Sequence, residues 1–297
     1  MVRTIQTTFQ IDGVPAFKII RFQESHKLGV VPSLEIDFAF VDYQVPEDLV
    51  GHKAVLTYGF TDDEPRTFVG VVESITLKGS GQMGAEGRLS RYIARVVPKL
   101  ALLDRSVSSR IFQDMDVKDI VTKVLTDHGI TGAGVEWKIT GSYPKREYCV
   151  QYQESALAFI SRLLEEEGIY YFVEAGEGDD PEEKVVFVDD STVADPIPGE
   201  AELTVKPRAS LVNETDAIYW IADARRVRSG KFVLRDFNFE KPQLDLTSTA
   251  EGKEYTELEV YDYPGIYFDP AEGKRLAKVR LEAEQAACRS EERRVGK

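Results

Sequence analysis

The sequence predicts a β-rich α+β protein of several domains, and three observations carry that expectation. Residues 1–98 hold a run of short segments rich in β-branched and aromatic residues, bounded by turn residues and with no helix between them. Between residues 143 and 174 the hydrophobic period changes from two to 3.6 and back to two. Pro196, Pro198 and Gly199 then separate these regions from a further set of strand-like segments. At 297 residues the chain has length for about two domains, each with a sizeable core.

In the first region the expected strands are Ala16–Gln23, Ser33–Phe40, Lys53–Tyr58, Arg66–Lys78 and Arg88–Val97. Turn signals at Asp12-Gly13, Asp62-Asp63 and Gly79-Ser80-Gly81 punctuate them. Several strands without intervening helices form a barrel or a sandwich. Pro98 ends the last of them.

Residues 99–195 read as a mixed α+β domain. Asp116 is placed to cap a helix whose apolar face is Val117, Ile120, Val121, Val124 and Leu125, and Gly129 closes it. Tyr148, Val150 and Tyr152 then alternate with Glu147, Cys149 and Gln151 as a strand. Ser155 caps a second helix with Ala156, Leu157, Phe159, Ile160, Leu163 and Leu164 at helical spacing. Its opposite face is Ser161, Arg162, Glu165 and Glu166, and Gly168 stops it. The strand Ile169–Val173 follows and is expected to pair with Val185–Val188 across the acidic loop Gly176–Glu183.

Residues 196–265 read as a second β domain, with strands Glu202–Val205, Ala217–Ala222, Phe232–Phe239 and Glu254–Tyr261. Residues 266–288 supply a connector helix with Asp269 as cap and Pro270 in its first turn. Leu276, Val279 and Ala283 are its expected apolar stripe.

Composition narrows the function classes. Hydrophobic content of 42% and charged content of 30% describe an ordinary soluble protein. No apolar run is long enough to span a bilayer, and the first residues lack a signal-peptide pattern. A net charge of −14 argues against a nucleic-acid partner, since a phosphate backbone repels it. Cys149 and Cys288 lie far apart in different elements and form neither a disulfide framework nor a zinc site, which suits a reducing cytoplasm.

The candidate chemical motifs have plain structural readings. Gly79-Ser80-Gly81-Gln82-Met83-Gly84 fits a dinucleotide fingerprint, but the alternating segment Leu89–Val97 follows it where a helix is required, so it reads as a flexible hairpin loop. Glu165-Glu166-Glu167 point about 100° apart on a helix, too splayed for a paired acid and base, and read as a solvated helix end. Asp179-Asp180 and Glu182-Glu183 lack the spacing of a calcium loop and read as a hydrated hairpin tip. His26, His52 and His128 are scattered, with His128 placed to meet helix carbonyls, and Cys149 sits inside a strand rather than at an exposed turn. Tyr170-Tyr171-Phe172 and Phe237 with Phe239 read as core and interface aromatics. No catalytic, cofactor-binding or metal residue is expected.

Several stretches carry a family resemblance. Tyr148-Cys149-Val150-Gln151-Tyr152, Glu154-Ser155 and Phe159–Phe172 resemble the signature segment of the VgrG family, spike-hub proteins of type VI secretion systems related to baseplate hubs of contractile phage tails. Ser109–Gln113, Val117–Gly129, Arg235–Pro242, and Tyr261–Gly265 followed by Leu276-Ala277 agree with it in the same order. The resemblance implies two related β-barrel tube-type domains, residues 1–98 and 196–265, around the α+β domain. It further implies a homotrimer whose six barrels meet a hexameric tube protein of the Hcp type, with baseplate components and effectors as further partners. It implies a structural rather than enzymatic role, with no cofactor, in a protein made in the cytoplasm and translocated by the injection machine. A phage or prophage tail hub is the alternative, and a cell-wall-degrading enzyme a more distant one. Family members continue past this helix into an oligosaccharide-binding-type fold and a needle, so this chain alone is not expected to insert into a membrane. Residues 289–297 have Val295 as their one apolar residue. They look like an in-frame translation of a common sequencing adapter, and the expectation is a non-native tail with nothing to pack against.

Overall fold

The computed structural model describes residues 5–16, 18–41, 46–60, 65–84, 87–176, 178, 180–193, 204–205 and 217–296. The chain divides into two compact units, one of Met1–Glu165 with Ile169–Gly199, the other of Glu166–Gly168 with Glu200–Lys297.

The first unit opens with seven strands: β1 (Ile5–Ile11), β2 (Val14–Pro15), β3 (Lys18–Lys27), β4 (Val30–Val41), β5 (Lys53–Phe60), β6 (Arg66–Gly84) and β7 (Gly87–Val97). They form one antiparallel sheet in the order β2-β1-β5-β6-β7-β4-β3. The sheet curls until β3 comes back over β5 and β6. Rings of Phe22 and Tyr58 meet at 4.9 Å, those of His26 and Phe68 at 5.9 Å, and Tyr58 Oη donates to Glu24 Oε2 at 3.3 Å. The period-two rows Leu34, Ile36, Phe38, Phe40 and Tyr92, Ala94, Val96 fill the interior with Phe9, Leu56 and Phe68. The outward carboxylate of Asp37 is nonetheless 2% exposed, because Arg91 covers it with a two-pronged contact, Nε to Oδ1 at 2.8 Å and Nη2 to Oδ2 at 2.6 Å. That hydrogen-bonded guanidinium holds the Asp37 carboxyl below the usual carboxylate range.

The sheet side of the glycine-rich stretch differs from expectation. Gly79–Gly84 belongs to β6 and runs antiparallel to β7 rather than forming a loop, with register shifts at Leu77/Gly79 and Ser80/Gln82. Glycine without a Cβ lets a strand of this length bend at such irregularities.

The rest of this unit comprises α1 (Lys99–Leu102), β8 (Val107–Phe112), α2 (Val117–Asp127), β9 (Val135–Lys138), β10 (Cys149–Ser155), α3 (Ala156–Glu167), β11 (Tyr170–Ala175) and β12 (Glu183–Val188). Both expected caps are present: Asp116 Oδ1 accepts from Asp119 N at 2.9 Å and Ser155 Oγ from Ala158 N at 3.1 Å. Gly168 follows α3 at φ +77°, a left-handed conformation that reverses the chain into β11. Val117, Ile120, Val121, Val124 and Leu125 of α2 and Phe159, Ile160, Leu163 and Leu164 of α3 share one core with Phe112, Tyr171 and Phe187. Burying the four α3 residues is worth on the order of 6–12 kcal/mol gross. β11 pairs antiparallel with β12, as expected. β12 also pairs parallel with β9, a strand of four half-buried residues that composition does not announce.

In the second unit the described elements are β13 (Thr204–Val205), β14 (Ala217–Arg225), β15 (Lys231–Asp236), β16 (Leu246–Glu251), β17 (Glu259–Asp262), α4 (Pro270–Cys288) and β18 (Arg289–Gly296). They make two three-stranded sheets, β13-β14-β18 and β16-β15-β17. Residues 194–203 and 206–216, which hold part of the expected second barrel, lie outside the described residues. Strand β16 has no clear hydrophobic alternation in its sequence. Leu246, Ser248 and Ala250 point to the core, and two of these three are too small to register as a hydrophobic row. The strand expected at Glu254–Tyr261 is confined to Glu259–Asp262.

α4 begins at the predicted cap, where Asp269 Oδ1 accepts from Ala271 N at 2.8 Å. Its buried stripe is Gly273, Ala277 and Leu281; of the expected residues Leu276 packs half-buried against the same core, Val279 is half-buried and Ala283 is exposed. Small side chains let the helix lie close to β15 and β16, and closeness outweighs side-chain size in choosing the face. Residues Arg289–Gly296, read as having nothing to pack against, pair their backbone antiparallel with Ala217–Arg225.

Candidate interaction surfaces

The signature strand carries an inversion. β10 and β8 form a two-stranded ribbon with Val150 opposite Ile111 and Cys149 opposite Phe112. Cys149 and Gln151 face the core, at 6% and 0% exposure, while Tyr148, Val150 and Tyr152 face outward with Val107 and Ile111. A bulge after Gln151 explains the choice. Gln153 has φ +49° and donates its N–H to Ser109 Oγ at 3.2 Å, while Gln151 Nε2 donates to the Glu154 carbonyl at 3.1 Å. Gln151 is inside because its amide satisfies the backbone that the bulge leaves unpaired.

The polar face of α3 is not idle either. Arg162 sends Nη2 to Glu154 Oε1 at 2.7 Å and to the Val150 carbonyl at 3.2 Å, and its guanidinium stands 5.4 Å from the Phe159 ring. It braces the signature strand at Val150 and Glu154.

The acidic segment after β11 is anchored rather than loose. Lys53 Nζ contacts Asp180 Oδ1 at 2.6 Å and Glu182 Oε1 at 2.8 Å. Glu183 is buried, and both its oxygens accept from Lys99 N, at 2.7 and 2.9 Å. Burial outweighs those bonds and pushes its carboxyl up to about 7. On the next loop Asp189 collects the N–H groups of Thr140 and Gly141 and the Tyr143 hydroxyl, and its carboxyl stays low because these bonds outweigh its desolvation.

The remaining candidates are dispersed. His26 meets Glu24, His52 meets Asp12, and His128 Nδ1 donates to the Val124 carbonyl at 2.7 Å, the helix-end contact expected of it. Glu167, read as part of a solvated end, groups with the second unit and is 6% exposed, because Arg275 binds both its carboxylate and its carbonyl. Among the described residues no three His, Cys, Asp or Glu side chains converge on a metal position.

The second unit holds an open cleft of about 660 Å³ at the C-terminal end of β15. Phe237, Leu244, Tyr261 and Tyr263 line it, with Arg235 and Asp245. These four apolar side chains are 53%, 36%, 55% and 56% exposed. The sequence assigned Phe237 to core or interface, and the geometry leaves it outside the core.

The fold has counterparts among solved structures. A tail protein of Neisseria meningitidis MC58 superposes with a TM-score of 0.66 at 12% identity, over 97% of this chain and 79% of its own. An Escherichia coli component of the type VI secretion system, described as structurally similar to T4 bacteriophage tail proteins gp27 and gp5, superposes with a TM-score of 0.61 at 27% identity, over 74% of this chain and 56% of its own. The architecture is thus that of a β-rich baseplate hub. In sequence, residues 29–292 match the phage tail baseplate hub (GPD) family, and the chain belongs to it. Curated relatives include the type VI secretion system spike proteins VgrG1b and VgrG4b of Pseudomonas aeruginosa. The first is 32% identical over 278 residues, 92% of this chain and 36% of the relative, and the second 37% over 223 residues, 73% and 26%. The chain spans between about a quarter and a third of the length of these relatives.

Proposed function

We propose that this chain is the hub of the spike in a type VI secretion system, a structural part that trimerises and seats on the end of a hexameric, Hcp-type tube. The relation to spike proteins over 92% of the chain carries this reading. It supports a protein made in the cytoplasm and delivered by the machine, with baseplate components and effectors as further partners. No helix is long and apolar enough to cross a membrane among the described residues. Deleting the gene should stop release of the tube protein into the medium, and the wild-type copy should restore it. Release that continues unchanged contradicts the reading.

A phage or prophage tail hub is the second reading, favoured by the superposition on a tail protein. Sheath and tube genes beside a secretion ATPase support the first, and capsid and portal genes the second. We further propose that the chain has no catalytic activity of its own. One relative is named an actin cross-linking toxin, VgrG1 of Vibrio cholerae, but the alignment covers 17% of that protein. Turnover of peptidoglycan by the purified chain, lost in Glu165→Gln or Glu166→Gln, contradicts this.

A further inference from the structure

We propose that residues 180–183, on the turn from β11 to β12, form a strap buckled across one rim of the seven-stranded sheet. The strap opens by itself as the pH rises towards neutral, while the unit beneath it stays folded.

The register of the sheet places the buckle. Lys53 and Val97 both pair with Val71, so the start of β5 and the end of β7 share one rim, with Lys99 just beyond. The strap reaches both lysines. Asp180 Oδ1 and Glu182 Oε1 hold Lys53 Nζ at 2.6 and 2.8 Å, and Glu182 Oε2 meets Lys99 Nζ at 3.5 Å. Glu183 accepts the Lys99 backbone N–H, and Pro181 is buried between the two acidic contacts. The Asp180 and Glu182 side chains are 85% and 61% exposed, so water competes for their ion pairs and each is a weak fastening.

Little else breaks when the strap lifts. Its base is the backbone bond from Gly176 N to the Glu182 carbonyl, at 2.6 Å, and Glu183 is the terminal residue of the β11–β12 ladder, opposite Ala175. One residue further, Lys184 pairs with Glu136 at 2.7 Å and Glu174 at 3.3 Å, and Val185, Val186 and Phe187 are fully buried. The ladder from Lys184 onward is the fixed side of the hinge. A segment held by exposed polar contacts beside such a core opens locally, well before the whole unit unfolds.

Glu183 couples the strap to pH. The charged groups that face it are the Lys99 ammonium from α1 and the Glu182 carboxylate beside it on the strap. Ala175 of β11 and Gly134 on the turn before β9 bring no charge. Burial favours the protonated carboxyl in the closed strap, whereas water around an open strap accepts the anion. Closing therefore raises this carboxyl from the ordinary 4.5 to about 7. Its contribution to closure is complete below about pH 4.5, weakens as pH rises to 7, and levels off above that. Glu182 acts in the opposite sense, because Lys53 holds its carboxyl low and the pair is lost only in more acid solution. The strap is thus tightest in mildly acid solution, and its opening bares Lys53 and Lys99 on a chain of net charge −14.

The test is residue-resolved hydrogen exchange on the purified chain between about pH 5 and 8, corrected for the pH dependence of chemical exchange. The Gly176 and Lys99 amides, which donate to the strap, read its opening, and the Val186 and Phe187 amides read the fixed ladder. The expected result is protection at Gly176 and Lys99 that falls roughly fiftyfold from pH 5 to pH 8, with Val186 and Phe187 unchanged. Glu183→Gln keeps an acceptor for the Lys99 N–H but does not titrate, so it should abolish the pH dependence. Lys53→Gln should lower protection at Gly176 at every pH and keep the slope. Melting temperatures check that both variants are folded. Wild-type protection at Gly176 and Lys99 that is level with pH overturns the proposal, as does a slope that survives Glu183→Gln. A fall shared by Val186 and Phe187 marks opening of the whole unit and overturns it too. Lys53→Gln indistinguishable from wild type at Gly176 removes the buckle and with it the strap.

Discussion

The ring of Tyr267 occupies the space that a Cβ at Gly273 would need. An added Cβ would overlap Tyr267 Cε2 and Ser248 Oγ, and one at Gly265 would overlap the other edge of the same ring. The ring is so placed because its hydroxyl reaches the carbonyls of Leu234, at 3.0 Å, and Leu246, on β15 and β16. Tyr267 is 2% exposed and belongs to the small core that α4 completes with Ala277. Gly273→Ala should destabilise this unit by about 1–3 kcal/mol through overpacking, and Tyr267→Phe by about 1–2 kcal/mol through loss of the single hydroxyl proton that the two carbonyls share. Hydrogen exchange of β15 and β16 amides reads both. Unchanged protection in Gly273→Ala would show that the helix can simply move away.

Leu164 and Arg162 test the two faces of α3. Leu164→Asp puts a carboxylate without a partner into the core and should cost on the order of 3–5 kcal/mol, enough to unfold this region. Arg162→Ala removes the contacts to Glu154, Val150 and Phe159 and should cost about 1 kcal/mol, not zero as an exposed helix face suggests. Equal melting temperatures for the two variants would contradict the assignment of faces.

Glu183 sets a pH dependence. Its carboxyl titrates near 7 when folded, above the ordinary 4.5, because burial disfavours the charge. Below about pH 4.5 it is protonated in both states and its stabilisation is complete. As pH rises towards 7 the unfolded chain ionises first, and stability falls by on the order of 2–3 kcal/mol before levelling off. Carboxyls held low, such as Asp37 and Asp189, act in the opposite sense and only at more acid pH. The difference between wild type and Glu183→Gln isolates the effect. The variant should gain relative stability between pH 5 and 8, and parallel pH profiles would refute the account.

Much of the first unit was legible in the sequence because large apolar residues mark it. Phe159, Ile160, Leu163 and Leu164 recur at helical spacing, and Leu34, Ile36, Phe38 and Phe40 at strand spacing. What was missed lies where small or polar residues do the packing. α4 buries Gly273 and Ala277, and β16 buries Ser248. The inverted ribbon face was illegible for another reason. The placement of Gln151 inside and Tyr152 outside depends on a bulge, and on a backbone carbonyl that only the folded chain brings to the amide. The cleft draws on residues from Arg235 to Tyr263, whose grouping follows from the parallel pairing of β15 with β17.

Salt should strengthen self-association. With −14 per chain, assembly works against repulsion that ions screen beyond about 8–10 Å, while apolar contacts are not weakened. Raising sodium chloride from low to moderate concentration should lower the concentration for half-assembly in sedimentation equilibrium. A trimer that dissociates on adding salt would point to ion pairs as the main contact.

The central claim, a hub that seats on a tube, is tested most directly by native mass spectrometry of the purified chain mixed with hexameric tube protein from the same locus. The account predicts a complex of three chains with one hexameric ring, and no complex with a ring whose end face is blocked by a second ring. A chain that leaves the ring unbound, or binds it at any other stoichiometry, would contradict the account.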